Sequence, residues 1–217
     1  VEIPTDSNLQ IIGSHAFSSS DNRYSYLYLK EIRVDSRNQH FVSIDGILFT
    51  KDMTKIICYP SRKEETEFII PSSVISIGDY AFNGSSSLKQ IIIPSSVTSI
   101  GNCAFLRDDR YSYFNVPEII VDSENQHFVS IDGILFTKDM TKIIYYPPRK
   151  KETAYTIPTS VISIGDYVFN NCSSLKQITI PLSVTSIGKE AFCSTNLEKI
   201  IVDSENPQFA SLDGLLC

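Results

Sequence analysis

The chain has 217 residues, of which 42% are hydrophobic and 20% charged, and its net charge is −6. That is enough apolar material for a core and too little charge for a disordered chain. The acidic balance argues against a generic binder of phosphate backbones, and no apolar run approaches the ~20 residues of a membrane span.

Strands are expected near residues 2–4, 31–35, 55–59, 67–70, 89–93, 118–122, 142–146, 154–157, 176–180 and 198–203, where Ile, Val, Phe and Tyr concentrate. Pro94 and Pro181 end their strands, because proline gives no ladder donor. The segment Ile134–Pro147 reads as a hairpin turning at "KDMT", so a local antiparallel meander is expected in each long unit. The Asp-Gly pairs at 45–46, 132–133 and 213–214 are turn dipeptides.

The chain is written twice. Residues 34–106 recur at 121–193, a period of 87 residues, with few differences. A third copy begins at "IIVDSENPQF", so the array is expected to be a segment of a longer chain. Super-repeats at 34–120, 121–201 and, in part, 202–217 would form one domain over 1–217. Within each copy a 23-residue frame runs from Ile70-Pro71 to Ile93-Pro94 and from Ile157-Pro158 to Ile180-Pro181. Its cores are Leu88-x-x-Ile91-x-Ile93, Leu175-x-x-Ile178-x-Ile180 and Leu197-x-x-Ile200-x-Val202.

This period with this core predicts a leucine-rich-repeat solenoid. One repeat cannot bury its own apolar face, but stacked neighbours can. A concave, mostly parallel sheet is expected, with I-G-x-x-A-F segments making tight turns and short helical or 3₁₀ turns on the convex side. "VSIDGILF" at 42–49 overlays "ISIGDYAF" at 75–82 and is expected to act as a less regular turn of the same frame.

The segments "IPSSVTSIGNCAF", "NNCSSLKQITIP" and "SIDGILFTKDMTKIIYYP" resemble the BspA-like, or Treponema-type, leucine-rich repeats, and the resemblance runs over essentially the whole chain. Ser85 departs from it, standing where the family has cysteine. The resemblance implies a surface-exposed or secreted protein of a bacterium or parasitic protist, with roles in adhesion, coaggregation or antigenicity. It transfers no catalytic residue. An intracellular scaffold or receptor-like recognition domain is the other reading.

The duplication also records which letters are free to change. Alternate side chains of a strand face opposite sides. Inward positions such as Leu88, Ile91 and Ile93 copy unchanged, whereas Glu67, Ile69 and Ile92 become Ala154, Thr156 and Thr179. Selection by a ligand gives this pattern, and so does drift at tolerant exposed sites. The candidate protein-binding residues are Arg33, Ile69, Ile92, Ile120, Tyr145, Thr156 and Thr179 on the concave face, where Ile56, Cys58 and Ile143 are also placed. Tyr24, Tyr26, Tyr111 and Tyr113 form a second set, in the insertions "DNRYSYLY" and "DDRYSYFN". Exposed Tyr with Arg offers large contact area at low entropy cost. These rings could equally fold back over the core. A protein partner, such as a host extracellular-matrix or cell-surface protein, fits this mixed surface better than a nucleic acid.

No catalytic chemistry, cofactor or metal is expected. His40 and His127 are copies of one another, and the third copy has none. "VDS(E/R)N" is read as Asx- and Ser-type turns leaving a strand. No phosphate-loop, dinucleotide, calcium-loop or metalloprotease motif occurs. Asn83 and Asn171 sit in N-x-S acceptor sequences. Cys58, Cys103 and Cys172 are not matched by cysteine in the other copy, which favours free thiols over a disulfide framework.

Overall fold

The computed structural model describes residues 1–4, 9–13, 16–17, 29–85, 87–106 and 118–216. The chain forms two compact units, Val1–Asn115 and Val116–Cys217. Among the described residues both are built of short strands and turns, with no helix.

The first unit holds β1 (Glu2–Ile3), β2 (Arg33–Val34), β3 (Phe41–Ile44), β4 (Ile47–Thr50), β5 (Lys55–Cys58), β6 (Glu67–Ile69), β7 (Ser76–Ile77), β8 (Gln90–Ile93) and β9 (Ser99–Ile100). Two kinds of sheet result. The L-x-x-I-x-I strand β8 pairs in parallel with β6, and β1 pairs in parallel with β2. A five-stranded sheet runs β3-β4-β5-β7-β9. Its first three strands are an antiparallel meander, and β7 and β9 then stack in parallel on β5.

The second unit repeats this plan with β10 (Glu118–Val121), β11 (Phe128–Ile131), β12 (Ile134–Thr137), β13 (Lys142–Tyr145), β14 (Ala154–Thr156), β15 (Ser163–Ile164), β16 (Gln177–Ile180), β17 (Ser186–Ile187), β18 (Lys199–Val202), β19 (Ser211–Leu212) and β20 (Leu215–Leu216). The five-stranded sheet is β11-β12-β13-β15-β17, the parallel one β14-β16-β18, and β19-β20 is a hairpin.

The turn chemistry follows the sequence. Asp45 and Gly46 both have positive φ, as do Asp132 and Gly133, which is the geometry of a two-residue hairpin turn. The "KDMT" turn is closed by Asp52, whose Oδ1 accepts the Thr50 hydroxyl at 2.6 Å and the Thr54 N–H at 3.1 Å. Those bonds, that of Thr50 foremost, hold the Asp52 carboxyl below its ordinary range. "VSIDGILF" is therefore an antiparallel hairpin and does not take the form of "ISIGDYAF". The I-G-x-x-A-F segments turn without a helix, because Tyr80, Cys103, Tyr167 and Glu190 adopt left-handed φ and end the turn at once.

Stacking is visible in the backbone and in the rings. Tyr80 N–H donates to Asn102 O at 3.1 Å and Phe82 N–H to Ala104 O at 2.8 Å. Asp79 Oδ1 accepts the Asn102 N–H at 2.8 Å. The approach is so close that a Cβ on Gly101 would lie 2.5 Å from Asp79 N, so only glycine fits there. Phe82 stacks on Phe105 at 5.6 Å and 20°, and Tyr59 continues the file 5.5 Å from Phe82. In the second unit the file is Tyr146, Phe169 and Phe192, at 5.0 and 5.4 Å. These rings and the inward Ile, Leu and Val of each turn form the core.

Candidate interaction surface

The parallel strands set the outward rows. In the first unit Phe68 and Ile91 face in, while Glu67 pairs with Gln90 and Ile69 with Ile92 on the other side. Ile69 is 60% exposed and Ile92 half-buried. In the second unit Tyr155, Ile178 and Ile200 form the inward row. The outward rows are Ala154–Gln177–Lys199 and Thr156–Thr179–Ile201. Two copy differences thus fall on directly paired neighbours. An isoleucine column in one unit is a threonine column in the other.

Arg33 is exposed on β2, paired with Glu2 of β1 in the ladder and 2.5 Å from the Glu31 carboxylate. Ile120 is half-buried on β10. Beside the threonine column, Lys176 Nζ lies 2.8 Å from Glu198 Oε1. Sequence reasoning did not single out this pair. Both residues precede their strands at the same register, which is the signal that could have found it. Tyr24, Tyr26, Tyr111 and Tyr113 lie outside the described residues.

Tyr145 does not belong to this surface. It is 7% exposed, and Ile56, Cys58 and Ile143 are buried with it. The sequence reading gave β5 and β13 the phase of the L-x-x-I-x-I strands. They belong instead to the five-stranded sheets, where a register shift between Leu135 and Phe136 brings Ile143 and Tyr145 onto the inner face. The same shift lies between Leu48 and Phe49.

The remaining polar groups maintain the frame. Asn38 and Asn125 are buried, and each Oδ1 accepts two backbone N–H groups, of His40 and Phe41 at 2.9 Å and of His127 and Phe128 at 2.8 Å. Asn206 makes the same pair with Gln208 and Phe209. Asp35, Asp122 and Asp203 cap the preceding turns through the N–H of Arg37, Glu124 and Glu205, as the Asx reading expects. His40 and His127 are exposed beside these turns. Among the described residues Cys58, Cys103, Cys172 and Cys193 form no disulfide with one another. Burial pushes the Cys58 thiol up to about 12 and raises that of Cys172 as well. Among the described residues no group of three or more His, Cys, Asp or Glu could hold a metal ion. No helix among them is long and apolar enough to cross a membrane.

Short parallel strands on a 23-residue period, with an inward Leu/Ile ladder and a stacked aromatic file, define a leucine-rich-repeat solenoid. The chain belongs to the BspA type leucine rich repeat region family, which matches residues 57–147 and 149–211 in six copies. The solved structure of the pneumococcal vaccine antigen PcpA is similar, with a TM-score of 0.54 and 26% identity over 79% of this chain and 44% of that one. So is a leucine rich cell surface protein from Faecalibacterium prausnitzii A2-165, with a TM-score of 0.54 and 25% identity over 94% of this chain and 48% of that one. The chain therefore spans less than half the length of either. No curated protein matches it.

Proposed function

We propose that the chain is a non-enzymatic protein-interaction module of a cell-surface adhesin, and that it binds a protein ligand through the outward columns of its parallel strands. The observation that carries this is the paired change of Ile69–Ile92 into Thr156–Thr179 beside an inward row that keeps its apolar character. Two of the copy differences fall on directly paired neighbours of one outward column, and others lie at exposed positions such as Arg37, Glu64, Glu67 and Ser95, so the column is the place where recognition is to be tested against drift. The columns mix apolar, hydroxyl and single charged groups, which suits a protein partner. The Tyr-rich insertions offer a second contact surface of the same kind. An extracellular-matrix or cell-surface protein of a host is the class of ligand this reading favours, and the two similar structures, one a vaccine antigen and one a cell surface protein, support a surface location.

The experiment has two arms. Antibody labelling of intact cells should find the protein on the outside, and labelling only after permeabilisation would favour an intracellular scaffold. The purified chain should bind at least one of immobilised fibronectin, laminin and collagen. Replacing Ile69, Thr156 and Thr179 together by Lys should weaken that binding by about tenfold or more, as expected for loss of interface centre residues. Unchanged binding would remove the column from the interface and leave the tyrosines of the insertions, Tyr24, Tyr26, Tyr111 and Tyr113, as the next set to replace.

A further inference from the structure

The turn that follows Phe82 differs between the units in its backbone chemistry. In the first unit it reads Asn83-Gly84, the one Asn-Gly pair in the chain. In the second it reads Asn170-Asn171. Gly84 and Asn171 share a left-handed φ, of 70° and 61°. Their N–H groups are engaged differently. The Asn171 N–H donates to Cys193 O of the neighbouring turn at 3.2 Å, whereas the Gly84 N–H has no acceptor among the described residues. The Asn83 side-chain amide makes no hydrogen bond among them either, unlike those of Asn38, Asn125, Asn196 and Asn206. The bonds that hold the turn, Asn83 N–H to Tyr80 O at 2.9 Å and Ser85 N–H to Phe82 O at 3.2 Å, leave both groups out. Asn83 and Gly84 are half-buried, so water reaches both. A free backbone N–H thus directly follows a free carboxamide, and Gly84 has no Cβ to hold the two apart.

We propose that Asn83 is a site of spontaneous deamidation and isoaspartate formation in the folded chain. Asparagine side chains reach neighbouring backbone groups readily. Base removes the Gly84 amide proton, and the nitrogen attacks Asn83 Cγ. The bond from Cγ to the side-chain nitrogen breaks, and that nitrogen leaves as ammonia, taking a proton from water. Water then opens the five-membered imide. Opening at Cγ gives aspartate. Opening at the backbone carbonyl carbon gives isoaspartate, whose main chain runs through the former side chain. The balance is a carboxamide and water to a carboxylic acid and ammonia, with no oxidant or reductant. Either product puts a carboxylate on the wall of a cavity of about 440 Å³, where Asn83 stands with Lys55 and Asp79.

The test incubates the purified chain at mildly alkaline pH. Each asparagine is followed by peptide mapping with mass spectrometry and by enzymatic methylation of isoaspartate. Asn83 should convert at least about tenfold faster than Asn170. Gly84→Asn installs the pair of the second unit at a φ that Asn171 already adopts, and it should slow Asn83 about tenfold. Asn171→Gly creates an Asn-Gly pair where the N–H is bonded, and Asn170 should then still convert more slowly than Asn83. In the urea-unfolded Asn171→Gly chain the two should react alike, which separates the fold from the sequence. Conversion of Asn83 no faster than that of Asn170 in the unaltered folded chain would overturn the proposal. So would a rate unmoved by Gly84→Asn. Equal rates at the two Asn-Gly pairs of the folded Asn171→Gly variant would overturn the part given to the free N–H.

Discussion

The two units are nearly the same sentence, yet they differ in three physically distinct ways. On the surface, Ile69 and Ile92 in the first unit face solvent where the second has Thr156 and Thr179. In the core, the small Cys58 stands where the second has Tyr145. At a buried turn, Ser85 stands where the second has Cys172. The turns, the Asn38 and Asn125 hydrogen bonds and the inward isoleucines are common to both. Stacking fixes the parts that every rung must present to its neighbour. Outside those parts the copies differ, at a surface column and at the strand position of Cys58 and Tyr145 among others.

The largest expected effect probes what the units share. Phe82→Ala and Phe169→Ala each remove a buried ring from a stacked file and should each cost about 4 kcal/mol, measured by urea unfolding. A cost below half of this in either unit would mean that its file does not carry the stack. Next come the buried asparagines. Asn125→Ala strips two backbone N–H groups of their acceptor and should cost about 2 kcal/mol. A cost well under about 1 kcal/mol would show that this bond pair contributes little to the frame.

A smaller effect reads a difference between the copies. Ser85 Oγ is buried with no hydrogen-bond partner among the described residues. Ser85→Cys, which installs the residue of the second unit, should stabilise by about 1 kcal/mol, and Cys172→Ser should destabilise by a similar amount. A destabilising Ser85→Cys would contradict the assignment. Tyr146 and Tyr59 pose a parallel contrast, since the Tyr59 hydroxyl donates to Glu65 Oε2 at 3.5 Å whereas that of Tyr146 has no hydrogen-bond partner among the described residues.

The smallest effect is one of pH. The Cys58 thiol is raised by burial to about 12, whereas an unfolded thiol ionises near ~8.5. The native state therefore holds its proton where the unfolded state has lost it. The contribution is fully present below about pH 8.5 and is lost as pH rises toward the folded value. Cys172, Tyr59, Tyr146 and Tyr155 are shifted upward by burial too and act in the same direction. The urea midpoint should fall between pH 8 and 10.5, and by less in Cys58→Ala. In native labelling at pH 8, Cys103 and Cys193 should react before Cys58 and Cys172. Early modification of Cys58 would contradict its burial.

Much of this architecture was legible because leucine-rich repeats announce themselves by period. The L-x-x-I-x-I strands, the Asp-Gly hairpins and the "KDMT" turn were all readable from residue type and spacing. The facing of β5 and β13 was not, because it depends on which sheet a strand joins, and in each an extra residue, Ile57 or Ile144, shifts the register against the partner strand. The two-residue strands Ser76–Ile77 and Ser99–Ile100 are too short to show a period of two. Asn38 and Asn125 looked like ordinary loop residues, since nothing local in "NQHF" tells that the asparagine is buried. The outward residues of β6, β8, β14 and β16 followed from alternation alone. That two of their differences sit side by side on one column needed the observed register.

The most direct test of the central claim exchanges the columns. A chain carrying Ile69→Thr, Ile92→Thr, Thr156→Ile and Thr179→Ile keeps its composition and its inward row. Binding to the immobilised matrix proteins, measured by surface plasmon resonance against the unaltered chain, should fall by about tenfold or more while the unfolding midpoint stays within the range of surface substitutions. Unchanged affinity in a chain of unchanged stability would show that the columns are free to drift and that recognition lies elsewhere.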